Sequence, residues 1–268
     1  MSKITKTSIV TLLTDFGTED GYSGAMKGVI LRDFPEATIV DISHEIQPFN
    51  YQQAAFSLLN YAFYFPAGTI HVVVVDPGVG SSRNGLIIKT SDYFFIGPDN
   101  GVFSYIYESK SFEAWKIREE LFGHRVSPTF HGRDIFAPAA VRLLHGESPE
   151  SFCESVEHLH SFYQNYEVVD DRCYRLKVIH IDHFGNLILN FTMTDWKELG
   201  SPSDIRIQIN HSFLYGLKKT FAEVEAGQLL MTWDSRGFLQ IAQNGGNAAR
   251  TLQKKVNDFL FLFTSAKK

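Results

Sequence analysis

The chain has 268 residues, 44% apolar and 21% charged, a composition typical of a soluble globular protein and a length that allows one domain or two. A formal net charge of -5, with no Lys/Arg run, excludes a nucleic-acid footprint. Cys153 and Cys173 lack Cys-x-x-Cys spacing and read as free thiols of a reducing compartment. Met1 to Lys6 leads into Ile9 to Leu13, too short for a signal-peptide core or a membrane span, so a cytoplasmic protein without membrane partners is expected.

In chain order, Ser8 to Leu13 reads as a buried strand ending in Thr14-Asp15-Phe16-Gly17, and Gly21 to Phe34 carries Met26, Val29, Ile30 and Phe34 at helical spacing. Thr38 to Ile42 is the next strand. Asn50, with Gln53 at the capping-box position, starts a helix through Ala54, Ala55, Leu58, Leu59 and Ala62 that stops at Phe65-Pro66. The β-branched run Ile70 to Val75, then Leu86 to Ile88 and Tyr93 to Ile96, add three strands, and Phe136 to Leu144 predicts a helix. Alternating strands and helices imply an α/β class: a layered N-terminal domain over 1–155 with a mainly parallel sheet. The pattern changes after Pro149. Residues 156–172 read as a linker, and short strands at Tyr174 to Ile181, Leu187 to Leu189, Ile205 to Ile209, Leu229 to Trp233 and Phe238 to Ala242 predict a smaller C-terminal β-barrel over 173–268.

The segments Asp76-Pro77-Gly78-Val79-Gly80-Ser81-Ser82-Arg83 and Phe130-His131-Gly132-Arg133-Asp134 each follow a run that reads as core. Glycines allow close backbone approach to a ligand, and Asp76 falls just past the carboxyl end of a buried strand, where open α/β sheets bind ligands. Asp15, with Asp20 close behind, could cap a helix, bind a metal or accept ribose hydroxyls; capping is the first reading. Asp15-Phe16-Gly17 spells the kinase magnesium motif but lacks its companions, and Gly78-Val79-Gly80 is only a fragment of a dinucleotide fingerprint. The ten His residues show no metal-ligand spacing, so no metal is expected. Asp182-His183-Phe184-Gly185-Asn186 and Asp234-Ser235-Arg236-Gly237 read as turns; as a site they offer a carboxylate for an ammonium, an aromatic face and an amide for a purine, and an Arg fork for a carboxylate. The 23 Phe, 11 Tyr and 3 Trp mostly fill core and can also stack on a flat ligand.

Thr14-Asp15-Phe16-Gly17, Met26-Lys27-Gly28, Asp76-Pro77-Gly78-Val79-Gly80, Gly97-Pro98-Asp99-Asn100-Gly101, Phe130-His131-Gly132-Arg133-Asp134, Ile181-Asp182-His183-Phe184-Gly185-Asn186 and Asn244-Gly245-Gly246-Asn247-Ala248-Ala249 occur in order along nearly the whole chain. In these motifs the sequence resembles the S-adenosylmethionine hydroxide adenosyltransferases, relatives of the fluorinases and chlorinases. The resemblance implies an α/β domain followed by a β-barrel and a homotrimer with the ligand between subunits. It also implies hydrolysis of S-adenosyl-L-methionine to adenosine and L-methionine without a cofactor. By the same resemblance Asp76, Arg83 and His131 activate water, Asp15 binds the ribose hydroxyls, and Phe49 covers the sugar and sulfonium. Asp182 takes the ammonium, Ser235 and Arg236 the carboxylate, Phe184 and Phe221 flank adenine, and Asn186 and the backbone near Gly245 meet its edge. In the halogenating relatives the Asp76 position is Tyr and an insertion follows the Arg83 region; this chain has neither, which disfavours a halide-dependent adenosyltransferase. The remaining alternative, a non-catalytic binder of S-adenosylmethionine or adenosine, gains nothing from burying Asp, Arg and His beside a sulfonium.

Overall fold

The computed structural model describes residues 7–108, 111–123, 126–210 and 212–264; the leading Met1 to Lys6 segment lies outside them. Two compact units divide the chain, residues 1–163 and 164–268, so the expected linker 156–172 is shared between them.

The first unit contains β1 (Ile9–Thr14), α1 (Tyr22–Asp33), β2 (Thr38–Ser43), α2 (Tyr51–Tyr61), β3 (Ile70–Val74), β4 (Gly85–Lys89), β5 (Phe94–Pro98), β6 (Glu113–Ile117), α3 (Ala137–His145) and β7 (Cys153–Ser155). Its sheet has the order β2-β1-β3-β5-β4-β6-β7. The first four strands are parallel, and β4, β6 and β7 extend them antiparallel, because β4 and β5 join through a short turn rather than a crossover. The β-branched run explains why the parallel part is central: both faces of β3 are covered. Val72 and Val74 pack on one side with Met26 and Ile30 of α1 and Ala140 and Leu144 of α3, while Val73 and Val75 pack on the other with Ala54 and Leu58 of α2. Asn50 caps α2 as expected, its side chain accepting from the Gln53 N–H at 2.9 Å.

The second unit contains β8 (Glu167–Asp170), β9 (Cys173–Ile181), β10 (Leu187–Thr192), α4 (Met193–Glu198), β11 (Ile205–Ile209), β12 (Ser212–Tyr215), β13 (Leu229–Trp233), β14 (Phe238–Gln243), α5 (Ala248–Leu252) and β15 (Phe259–Thr264). The strands run β12-β11-β15-β9-β10-β14-β13, all antiparallel, with β8 beside β9. Leu217, just after β12, bridges Met231 of β13, so the sheet nearly closes into a barrel around Leu176, Val178, Phe191, Ile207 and Leu262. Among the described residues no helix is long and apolar enough to cross a membrane.

One polar ring lies wholly inside the first unit. His71 of β3 is fully buried, stacked on Phe95 at 5.2 Å, with Nδ1 against Thr11 Oγ1 at 2.8 Å and no hydrogen-bond partner at Nε2. Burial pushes its pKa down to about 3, so the folded protein keeps the ring neutral while the unfolded chain protonates near 6.5. The unfolded state therefore binds the extra proton between those values, and stability falls as pH drops through that window. Thermal melts of the wild type should lose Tm steadily from pH 6.5 toward pH 3, and His71→Leu should flatten that slope. An unchanged slope in the variant would assign the effect elsewhere.

Candidate active site

Adjacent parallel strands end together, and the first two candidate carboxylates follow from that. Thr14 of β1 pairs with Val74 of β3, so Asp15 and Asp76 leave the sheet at the same carboxyl edge. The third neighbour, β5, leads into Asp99 and Asn100. Asn100 Nδ2 donates to the Val75 carbonyl at 2.8 Å and the Asp99 N–H to the Asn84 carbonyl at 2.9 Å, so this turn holds the backbone beside both Asp76 and Arg83.

Between those residues the chain doubles back through a tight loop. Gly80 sits at φ +76°, and a Cβ there would stand 2.3 Å from the Pro128 carbonyl oxygen. Only glycine lets the 76–83 loop lie this close to the segment that delivers His131. His131 itself precedes a π-helical turn, Gly132–Phe136, that runs into α3, an irregularity often found at functional sites.

These loops bring Asp76, Arg83 and His131 into one hydrogen-bonded group. Arg83 Nε lies 3.0 Å from both Asp76 oxygens, its Nη2 also donates to Asp76 Oδ2, and the same Nη2 lies 2.8 Å from His131 Nδ1. The side chains of Asp76 and Arg83 are 5% and 8% exposed. A guanidinium has no acceptor, so His131 Nδ1 must accept, and the ring proton of neutral His131 resides on Nε2. Burial and the Arg83 charge hold the His131 pKa below its ordinary value against the opposing pull of Glu119, Asp76 and Asp134. Glu119 is a charged neighbour the sequence does not flag, with Oε1 at 3.8 Å from both Arg83 Nη1 and His131 Nδ1.

Asp76 and His131 line a cavity of about 290 Å³, whereas Arg83 stands behind them. Asp15 and Phe49 form part of the same wall. Phe49 is 67% exposed and adopts φ 68°, a left-handed conformation uncommon for an aromatic residue. Its N–H donates to Asp15 Oδ2 at 2.8 Å, which fixes the unusual backbone. Burial raises the Asp15 pKa despite that bond, and the nearby Asp76 charge adds to the rise. Phe130 packs edge-on against Phe16 at 5.8 Å and Tyr22 at 5.3 Å, and the three rings form an aromatic side of the cavity. Among the described residues no group of three or more His, Cys, Asp or Glu side chains could hold a metal ion.

The other candidate residues lie in the second unit. Asp182 organises the β9–β10 turn: its carboxylate accepts from the Phe184 N–H at 3.0 Å, the Asn186 N–H at 2.8 Å and Asn186 Nδ2 at 2.8 Å. Phe184 is 71% exposed and Asn186 is buried. Gly185 has φ +87°, and a Cβ there would overlap the Asn247 side chain, so this turn nests against the 245–249 segment that contains Gly245. Ser235 and Arg236 occupy the β13–β14 turn at the other end of the β10–β14 pair. There Asp234 Oδ1 accepts from the Arg236 and Phe238 N–H groups at 2.8 Å each. Phe221, exposed, begins a single 3₁₀ turn between β12 and β13. Asp15, Phe49, Asp76, Arg83 and His131 thus share one unit, and Asp182, Phe184, Asn186, Phe221, Ser235, Arg236 and Gly245 share the other.

Sequence comparison bears directly on both units. Residues 10–153 match the family described as SAM hydroxide adenosyltransferase N-terminal domain, and residues 176–260 match its C-terminal domain. An (R)-S-adenosyl-L-methionine hydrolase of Methanocaldococcus jannaschii is 38% identical over 260 residues, covering 91% of each chain. A fluorinase of Nocardia brasiliensis is 26% identical, covering 90% of this chain and 92% of the relative. A crystal structure of an uncharacterized conserved protein from Thermotoga maritima superposes with a TM-score of 0.84 at 34% identity, over 95% of this chain and 99% of that one. With both domains matched in order and a relative this similar over nearly its full length, the chain belongs to the SAM hydroxide adenosyltransferase family.

Proposed function

We propose that the protein is a hydrolase that converts S-adenosyl-L-methionine to adenosine and L-methionine, with water attacking the ribose C5′ in line with the departing sulfonium. The observation that carries this reading is the Asp76–Arg83–His131 group, two members of which line a cavity that the Asp15 carboxylate lines as well. The hydrolase relatives at 31–38% identity support the reaction, and their names specify the R epimer at sulfur, so assays should supply both epimers.

In the reaction the water oxygen bonds to C5′, the C5′–S bond breaks, and its electron pair stays on sulfur to give a neutral thioether. The leaving group needs neither acid nor metal. What the protein supplies is an aligned, dehydrated nucleophile, and alignment of this kind contributes roughly 7 to 11 kcal/mol of barrier reduction. His131 carries its proton on Nε2 and can only donate while neutral, which leaves the Asp76 carboxylate to orient the water and draw its proton. Arg83 holds both in place from behind. Asp15 takes the ribose hydroxyls, and Phe49, Phe184 and Phe221 cover the sugar and purine. Asn186 and Gly245 meet the purine edge, Asp182 has one acceptor site left for the ammonium, and Ser235 and Arg236 hold the carboxylate. We further propose a cytoplasmic homotrimer whose sites combine the first unit of one chain with the second unit of its neighbour. The division of ligand groups between two units and the high exposure of Phe49 and Phe184 support that assembly.

Chromatography of S-adenosylmethionine incubated with the pure protein should show equimolar adenosine and methionine, unchanged by a chelator; activity restored to a chelated sample by a divalent ion would return a metal to the mechanism. Asp76→Ala, Arg83→Ala and His131→Ala should each lower kcat by on the order of a hundredfold to ten-thousandfold with little change in KM. Asp15→Ala should chiefly raise KM. Full activity in a triad variant would remove that residue from the mechanism.

The pH profile follows from two shifted groups. Burial and the Arg83 charge hold the His131 pKa below its ordinary value and burial holds the Asp15 pKa above its own, so kcat/KM should be flat above neutrality and fall as acid protonates either group. Replacing Arg83 by Gln removes the charge that opposes His131 protonation and should move the His131 part of the fall to higher pH. A limb unmoved by that change would detach His131 from the rate.

A shared site also permits complementation. Mixed trimers of Asp15→Ala and Arg236→Ala chains in equal amounts should regain about a quarter of wild-type activity, the fraction of interfaces with both halves intact. An inactive mixture with demonstrated subunit exchange would place each site within one chain.

A further inference from the structure

We propose that His44 is a positioning residue for ribose recognition: a chain of polar contacts from Lys27 through Asp41, His44 and Thr14 fixes the turn that presents Asp15. The inference rests on the reading of Asp15 as the ribose ligand. It also gives a role to Lys27 of the Met26-Lys27-Gly28 motif, which the triad and the ligand contacts leave without one.

The chain begins on α1, where Lys27 Nζ donates to Asp41 Oδ2. Asp41 lies at an irregularity in the β1–β2 pairing: Leu12 pairs with Asp41 but Leu13 with Ser43, so Ile42 is an extra residue. A bulge of this kind redirects the strand end. His44 follows, 6% exposed, with Nε2 3.1 Å from Asp41 Oδ1, off the axis of a linear hydrogen bond, and Nδ1 2.8 Å from Thr14 Oγ1. A carboxylate beside Nε2 favours the ring proton there, so Nδ1 accepts from the Thr14 hydroxyl. Thr14 Oγ1, fully buried, in turn accepts the Phe16 N–H at 3.3 Å.

Backbone bonds close the same junction. The Gly17 N–H donates to the His44 carbonyl at 2.8 Å and the Ile46 N–H to the Thr14 carbonyl at 3.4 Å, and the chain continues to Phe49, whose N–H meets Asp15 at 2.8 Å. Asp15 is therefore clamped from both sides: Thr14 and Gly17 are held by His44, and its own carboxylate by the arm that His44 begins. Burying a His and a Thr together at a strand end, both hydrogen-bonded, costs less than leaving either unpaired, and it removes the freedom of the one loop that must aim a carboxylate.

The test is calorimetric binding of adenosine and of 2′,3′-dideoxyadenosine to the full-length protein. Wild type should prefer adenosine roughly tenfold or more, the scale of a hydrogen bond to a charged group, and Asp15→Ala should abolish that preference. Thr14→Val and His44→Leu should likewise lose most of the preference while binding dideoxyadenosine nearly as wild type does, and Thr14→Ser, which keeps the hydroxyl, should restore it. If Thr14→Val keeps the preference while Asp15→Ala loses it, the positioning role is wrong. Equal loss of affinity for both nucleosides would mark a general structural defect and also overturn it. If Asp15→Ala itself keeps the preference, the ribose reading of Asp15 falls, and this proposal with it.

Discussion

One buried guanidinium sets the terms of the site. Arg83 gives Nε and Nη2 to Asp76 and shares Nη2 with His131 Nδ1, so a carboxylate, a cation and an imidazole are held together with little exposure at the cavity wall. Removing one member of such a group strands the others: a buried carboxylate without its cation costs several kcal/mol. The same contact forces a tautomer on His131 and, with burial, depresses its proton affinity, which leaves Asp76 as an acceptor and neutral His131 as a donor at Nε2.

The fold exists to hold that group at the edge of a sheet. Parallel pairing of β1, β3 and β5 brings Asp15, Asp76 and Asn100 to one edge, and side chains of the central strand are buried on both faces, so the edge is rigid. Glycine does the rest at Gly80, where backbone meets backbone at a distance no side chain permits. The barrel presents its candidate groups differently, on turns whose shape comes from Asp182 and Asp234 accepting their own loop N–H groups. Both patterns put the candidate groups on short loops anchored to strands.

Much of this was legible in the sequence because it depends on local pattern. The β-branched run of β3 and the Asn50 cap named the sheet and α2, and the two Gly-punctuated loops marked the segments that carry Asp76, Arg83 and His131, whose roles came only with the family resemblance. What escaped was what pattern does not encode. β15 reads Phe-Leu-Phe-Leu-Phe-Thr, apolar on both faces, so its alternation of exposed and buried positions has no counterpart in residue type. The antiparallel half of the first sheet follows from a tight β4–β5 connection, not from composition. Glu119 and Asn100 sit far along the chain from the groups they touch or brace, and only the fold brings them in.

The central claim, that water attacks C5′ while sulfur leaves with the bond's electrons, is tested most directly by isotope. Turnover of S-adenosyl-L-methionine by the wild-type protein in ¹⁸O-water should place one heavy oxygen on the 5′-hydroxyl of adenosine and none in L-methionine, as mass spectrometry of the separated products would read. Unlabelled adenosine, label in methionine, or no turnover of either sulfonium epimer would contradict the account.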